Sequence, residues 1–315
     1  MKDNEVYILN ASSKANHDKT GNTCVYYFDN SMVFIDCGKA RFLALENYKP
    51  RINELLKNHK AQIKQLFLVV THPHEDHYTT FKDVVKIIKP ESAMAIVFKI
   101  PSNKTYSAQD TVRRNDYDLR VKTEINSLKK ISWNNGKKLN VLTIEIPDKK
   151  EKELEKIPGV SGYNGMDTTI LNNVVVYGNE VINDLNQVYG VPDRRSIDRY
   201  VNDVGVVVKI KRDNDSVLFT GDMSYHFWYD AYKNDGEIKH IVLPHHGGFA
   251  WIADVAQDVT RSHFYKDTCE LYLSSIYNDV IGDEKQTNSP AYFVKEAFNV
   301  NPKKIKSTKD GMITI

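Results

Sequence analysis

The segment Thr71-His72-Pro73-His74-Glu75-Asp76-His77 constrains this chain more than any other, because it places four side chains able to ligate a metal within six residues. The run before it, residues 65–70, is short, apolar and β-branched at its end, the signature of a buried strand. The run after it carries Phe81, Val84, Val85 and Ile88 at i, i+3, i+4 and i+7, the spacing of a helix face. The histidines therefore fall on a strand-to-helix loop. Pro73 disfavours helical geometry at His72, which excludes a zinc-binding helix of the His-Glu-x-x-His kind. On such a loop His72 and His74 can converge on one cation while Asp76 and His77 reach a second. Imidazole nitrogen and carboxylate oxygen suit Zn²⁺ or a neighbouring first-row divalent ion. A lone histidine at a strand end needs only a hydrogen bond to explain it. Four ligand types at this spacing are not explained by solvation.

Composition narrows the remaining choices. A chain of 315 residues makes one large domain or two small ones, and a hydrophobic fraction of 41% is ample for a core. A net charge of +2 carries no global signature of nucleic-acid binding, so any such site has to come from a local patch. Cys24, Cys37 and Cys269 are odd in number and widely spaced, which fits buried thiols in a reducing compartment rather than a disulfide framework or a zinc knuckle. No stretch approaches the roughly 20 apolar residues of a membrane span. The first residues run straight into a strand-like 6–9 with no signal-peptide core, so a soluble cytoplasmic protein without membrane association is expected.

Taken in order, strands are expected over 6–10, 24–28 and 32–35, the last two joined by Asp29-Asn30-Ser31. The third ends in Asp36-Cys37-Gly38, a pattern of turn chemistry. A helix or two fits residues 40–60, a helix 81–89 and a strand 93–98. Residues 101–138 are polar; Lys129, Lys130, Lys137 and Lys138 around Trp133 suit phosphate contacts and base stacking or, more simply, a solvated loop face. A strand fits 139–146, and the charge run 148–156 reads as a solvated helix face. Gly159, Gly162 and Gly165 have neither a preceding strand nor the spacing of a nucleotide loop. Arg194, Arg195 and Arg199 are either surface charges or, if they face the metals, contacts for an anionic substrate. The second half then repeats the first, with strands over 204–210, 216–219, 240–243, 270–275 and 312–315 and a helix over 290–298. Two of these strands end in Thr220-Gly221-Asp222 and Pro244-His245-His246-Gly247-Gly248. Strands that end in ligands and alternate with helices indicate a two-sheet core covered by helices on both sides.

This succession of motifs, with Asn202-Asp203 entering an apolar strand between the first and second, resembles the metallo-β-lactamase (MBL) superfamily. It is most similar to the MBL domain at the C-terminus of ComEC-type DNA-uptake proteins and their free-standing relatives, and the ending over 307–315 looks like that family's close. The resemblance implies an α/β (α+β) fold, a four-layer αββα sandwich with metals at one edge. It would form one domain over 1–315, with elaborations at about 100–138 and 148–200. Carried over by position, His72 and His74 hold one metal, Asp76 and His77 the other, Asp222 bridges them and His246 completes the second site. His245 is then a supporting or a catalytic residue, and Asp36 orients a ligand histidine from behind. Two divalent ions are implied, Zn²⁺ first and Mn²⁺ as the alternative.

The chain departs from the family in three places. No histidine lies between His77 and His226, where many MBL enzymes supply a third ligand to the first metal, and Asn202 stands there as a weaker amide ligand. The family's glycines after the Asp-His pair are replaced by Tyr78-Thr79-Thr80, and a C-terminal Asn…His-Pro appears as Asn288-Ser289-Pro290. The function implied is a metal-dependent hydrolase, a phosphodiesterase or nuclease acting on DNA, RNA or nucleotides through a metal-activated water, with Asp76 or His245 handling protons. Hydrolysis of another ester, thioester or amide is the alternative, as is a catalytically degenerate binding module. A di-iron oxidoreductase needs a carboxylate where His74 stands.

Overall fold

The computed structural model describes residues 4–10, 22–38, 48–57, 63–100, 108–133, 135–146, 160–163, 167–178, 201–202, 205–223, 235–244, 269–273, 305–308 and 312–315. The first half contains β1 (Glu5–Asn10), β2 (Asn22–Phe28), β3 (Ser31–Ile35), α1 (Tyr48–Leu56), β4 (Gln65–Val70), α2 (Phe81–Ile88), β5 (Ser92–Phe98), α3 (Ala108–Leu128) and β6 (Asn140–Ile146). The second half contributes β7 (Val160–Tyr163), β8 (Asp167–Ile170), β9 (Val174–Gly178), β10 (Val206–Lys211), β11 (Ser216–Phe219), β12 (Ile238–Val242), β13 (Glu270–Leu273), β14 (Lys306–Ser307) and β15 (Ile313–Thr314).

These strands form two mixed sheets. One has the order β15-β1-β2-β3-β4-β5-β6, the other β14-β13-β12-β11-β10-β9-β8-β7. In each, antiparallel neighbours give way to three successive parallel pairs: β3 to β6 in the first sheet, β11 to β14 in the second. Parallel pairing needs a crossover, and α1, α2 and α3 supply it in the first sheet. The β2–β3 connection is a two-residue turn in which both Asp29 (φ +43°) and Asn30 (φ +59°) are left-handed, the geometry that matches strand twist and that Asp and Asn tolerate.

Both faces of the first sheet are covered, which is why β4 and β5 read as continuous apolar runs rather than as alternations. Ile8, Tyr26, Ile35, Phe67, Val69 and Ile96 pack on Val176, Val208, Val217 and Phe219 of the second sheet. Leu66, Leu68, Val70, Phe34 and Ala95 pack outward on Ile52 and Leu56 of α1, Phe81, Val84 and Val85 of α2, and Ile125 of α3. Each large side chain buried this way contributes about 1.5–3 kcal/mol. The α/β sandwich read from the sequence is thus realised as two face-to-face mixed sheets with helices. Among the described residues the helices lie on the first sheet, and the helix expected over 290–298 and the charge run 148–156 fall outside them.

Two regions hold more structure than the sequence showed. Residues 108–128, polar in sequence, form a 21-residue helix; Lys129, Lys130, Lys137 and Lys138 after it are exposed outside helix and strand, as a solvated loop face, while Trp133 packs against the core. The helix was hidden because only Val121, Ile125 and Leu128 of its apolar residues are buried, while Val112 and Leu119 stand 69% and 61% exposed. The strand missing from the glycine-rich region exists as well: β7 contains Gly162 and pairs antiparallel with β8. That hairpin is still not a strand–loop–helix phosphate site.

Candidate metal centre

Parallel strands deliver their loops to one edge, the end where α/β folds bind ligands. β4 runs into Thr71 and His72, β3 into Asp36, and β11, in the other sheet, into Gly221 and Asp222. Pro73 keeps the chain extended at first, and Glu75–His77 then make one turn of 3-10 helix that presents Asp76 and His77 in succession. The Tyr78-Thr79-Thr80 departure is accommodated by burial of Tyr78 and by Thr80, whose N–H and hydroxyl both donate to the Cys37 carbonyl before α2 begins.

The donor atoms meet. Oδ2 of the buried Asp222 lies 3.7 Å from Nε2 of His72 and 3.4 Å from Nε2 of His77. Nδ1 of His74 lies 3.0 Å from Nε2 of His72, and Oδ2 of Asp76 lies 3.7 Å from Nε2 of His77. Ligands bonded to one tetrahedral cation at about 2.0–2.1 Å stand about 3.3 Å apart. The observed separations straddle that value, so the donor set fits a divalent cation, with His72, His77 and Asp222 as its buried heart. Asp222 reaches both the His72–His74 pair and the Asp76–His77 pair.

Asp36 fixes the orientation of this group from behind. Its Oδ1 accepts the Thr71 N–H at 2.8 Å; its Oδ2 accepts the Thr71 hydroxyl at 2.6 Å and faces Nδ1 of His77 at 2.7 Å. With Nδ1 turned to Asp36, Nε2 of His77 faces Asp222. Thr71 also joins the two halves of the fold. Its carbonyl accepts the Val206 N–H at 2.8 Å, and a Cβ at Gly221 (φ +56°) would fall 2.8 Å from its Oγ1. Gly38 serves by close approach: a Cβ there would fall 1.8 Å from the carbonyl carbon of Asp76.

The electrostatics follow from burial and from three carboxylates around one point. Burial and the neighbouring His77 hold His72 well below the ordinary imidazole range, so its ring is neutral and a donor to a cation. Burial works the same way on His77, yet Asp222, Asp36 and Asp76 together outweigh it and hold that group well above the range. The pocket demands positive charge, a demand that a divalent cation meets.

Asn202 is carried to the same edge. A Cβ at Gly205 would fall 3.2 Å from the Asn202 carbonyl oxygen and 3.3 Å from Cβ of His72. His245, His246, Arg194, Arg195, Arg199 and Asn288-Ser289-Pro290 lie outside the described residues. Sequence reasoning missed Thr71, whose tertiary contacts carry no local signal, and α3, which reaches the loop through Tyr117 and Arg120.

The chain matches no protein-family model and no curated protein. Its structural neighbours are MBL-fold proteins. It is similar to the metallo-β-lactamase fold protein YhfI from Bacillus subtilis at 11% identity and a TM-score of 0.36, over 76% of this chain and 70% of that one. It is similar to the hydrolase AbOPH of the β-lactamase superfamily at 16% identity and a TM-score of 0.32, over 67% of this chain and 59% of that one. A metallo-β-lactamase from Hirschia baltica aligns at 11% identity and a TM-score of 0.32, over 69% of this chain and 65% of that one. No helix among the described residues is long and apolar enough to cross a membrane.

Proposed function

We propose that this protein is a metal-dependent hydrolase of phosphodiesters in DNA, RNA or nucleotides. What supports the reading is one observation: imidazoles from the first sheet and a buried carboxylate from the second converge at ligand spacing, backed by Asp36. In this reading His72 and His74 would hold one ion and Asp76, His77 and His246 the other, with Asp222 a donor to both. Zn²⁺ suits the nitrogen-rich donors, and Mn²⁺ gains if Asn202 completes the first site. Such ions lower the pKa of a bound water from about 15.7 towards about 7 and offset charge on phosphate oxygens.

The side chains divide the remaining work. Asp76, whose side chain is 33% exposed, is the carboxylate within reach of solvent and substrate, and it takes the proton that the attacking water releases. His245 is the second candidate for that proton. Asp36 keeps the His77 ring from turning, and buried Asp222 presents its carboxylate to both His72 and His77. Arg194, Arg195 and Arg199 serve as the contacts for an anionic substrate. The three buried thiols suit a reducing compartment, and we propose a cytoplasmic location.

The test is hydrolysis of a chromogenic phosphodiester and of single-stranded DNA by protein loaded separately with Zn²⁺ and Mn²⁺, beside Asp76→Ala and Asp222→Ala. Turnover that both substitutions abolish is the expected result. Bound metal without turnover on either substrate would move the activity to another ester, a thioester or an amide.

A further inference from the structure

α3 grips the metal loop. The Tyr117 ring meets the His74 imidazole edge-on, with centroids 5.3 Å apart and planes at 65°. The same ring packs on buried Ile100, just beyond β5, and on buried Val201, the residue before Asn202. One turn further on, Arg120 pairs with Glu75, the residue between His74 and Asp76, and with Asp116 at 2.7 Å. Asp118 accepts the Ile100 N–H, which ties the helix to the end of β5.

Tyr117 therefore touches His74, which the hydrolase reading assigns with His72 to the first ion, and Val201, the neighbour of Asn202. Among the described residues no third histidine is assigned to that ion, His77 being given to the second. A site of two imidazoles and an amide gains affinity when its rings are held in the ligating rotamer before the ion arrives. The edge contact holds His74 with Nδ1 towards Nε2 of His72, the direction in which both can share a cation.

We propose that Tyr117 is a positioning residue for the first metal site, and that α3 clamps His74 in its ligating orientation. The inference rests on the metal-hydrolase reading and goes beyond it by assigning a role to a helix that carries no ligand. It concerns the binding of the ion, not turnover.

The experiment is competitive titration with a chromogenic chelator, resolving the two Zn²⁺-binding steps of the wild type, Tyr117→Phe, Tyr117→Leu and Tyr117→Ala. Leu119→Ala, on an exposed face of the same helix, is the control. Tyr117→Leu keeps apolar volume against Ile100 and Val201 while removing the ring edge, so it remains informative if Tyr117→Ala fails to fold. Expected is a loss of about 10–100-fold in one binding step for Leu and Ala, as for other residues that orient metal ligands. Phe should restore wild-type affinity, and the other step should be unchanged throughout. Wild-type affinity in both steps for Tyr117→Leu would overturn the clamp and leave the hydrolase reading standing. A wild type that binds no Zn²⁺ and no Mn²⁺ would overturn both.

Discussion

Asp36 sits in the left-handed region at φ +53°, which costs a non-glycine residue about 1–2 kcal/mol. That conformation turns its carboxylate back towards Thr71 and His77, and the charged hydrogen bonds offset the strain. Asp36→Asn keeps the shape and removes the charge, so it should weaken metal binding by about 10–100-fold in calorimetric titration with little change in fold. Gly38 is constrained by space rather than by φ. Gly38→Ala drives a methyl group into the Asp76–His77 peptide, and it should cost about 3 kcal/mol or more in denaturant unfolding. The composition of the metal loop was legible because ligand type and spacing are local. The need for glycine at 38 was not, because the atoms it would strike lie on a loop far along the chain.

At the level of elements, what was legible followed the burial pattern. β3, β4, β5 and α2 were readable because each is apolar on every side or along one clean stripe. α3 was not, since its contacts to the site are polar or single-residue: Tyr117 on His74, Arg120 on Glu75. β7 to β9 were obscured by short length and by glycine. Where α2 ends, Lys89 takes the left-handed position at φ +54° and its N–H closes on Val85. Glycine adopts that conformation without a Cβ penalty but loses more entropy on folding. Lys89→Gly should therefore stabilise the protein by a few tenths to about 1 kcal/mol, read as a higher denaturant midpoint at unchanged slope.

For the molecule as a whole, the candidate ligands come from both sheets, so in the proposed reading a bound ion ties the two halves together. Zn²⁺ at a hundred times its Kd should raise unfolding stability by about 2.7 kcal/mol, and Asp222→Ala should abolish the gain. Far along the second sheet, His240 lies between Asp215 (3.2 Å) and the Tyr272 hydroxyl (2.9 Å). Burial and Arg212 hold it below its ordinary range despite Asp215 and Glu270. The unfolded chain thus takes up this proton first as pH falls through about 6.5, and the stability His240 contributes is lost below that point. In metal-saturated protein, His240→Gln should show a shallower fall in stability between pH 7 and 5 than the wild type. The sequence by itself determined the apolar strands, the sandwich class and the histidine- and aspartate-rich loop, because hydrophobic period and residue type act over a few neighbours. Only the tertiary structure decided that Asp222 meets His72 and His77, that Thr71 joins the halves, and that α3 closes on His74. Those contacts are made by residues that the two sheets bring together from distant parts of the chain, and no local pattern encodes their distances.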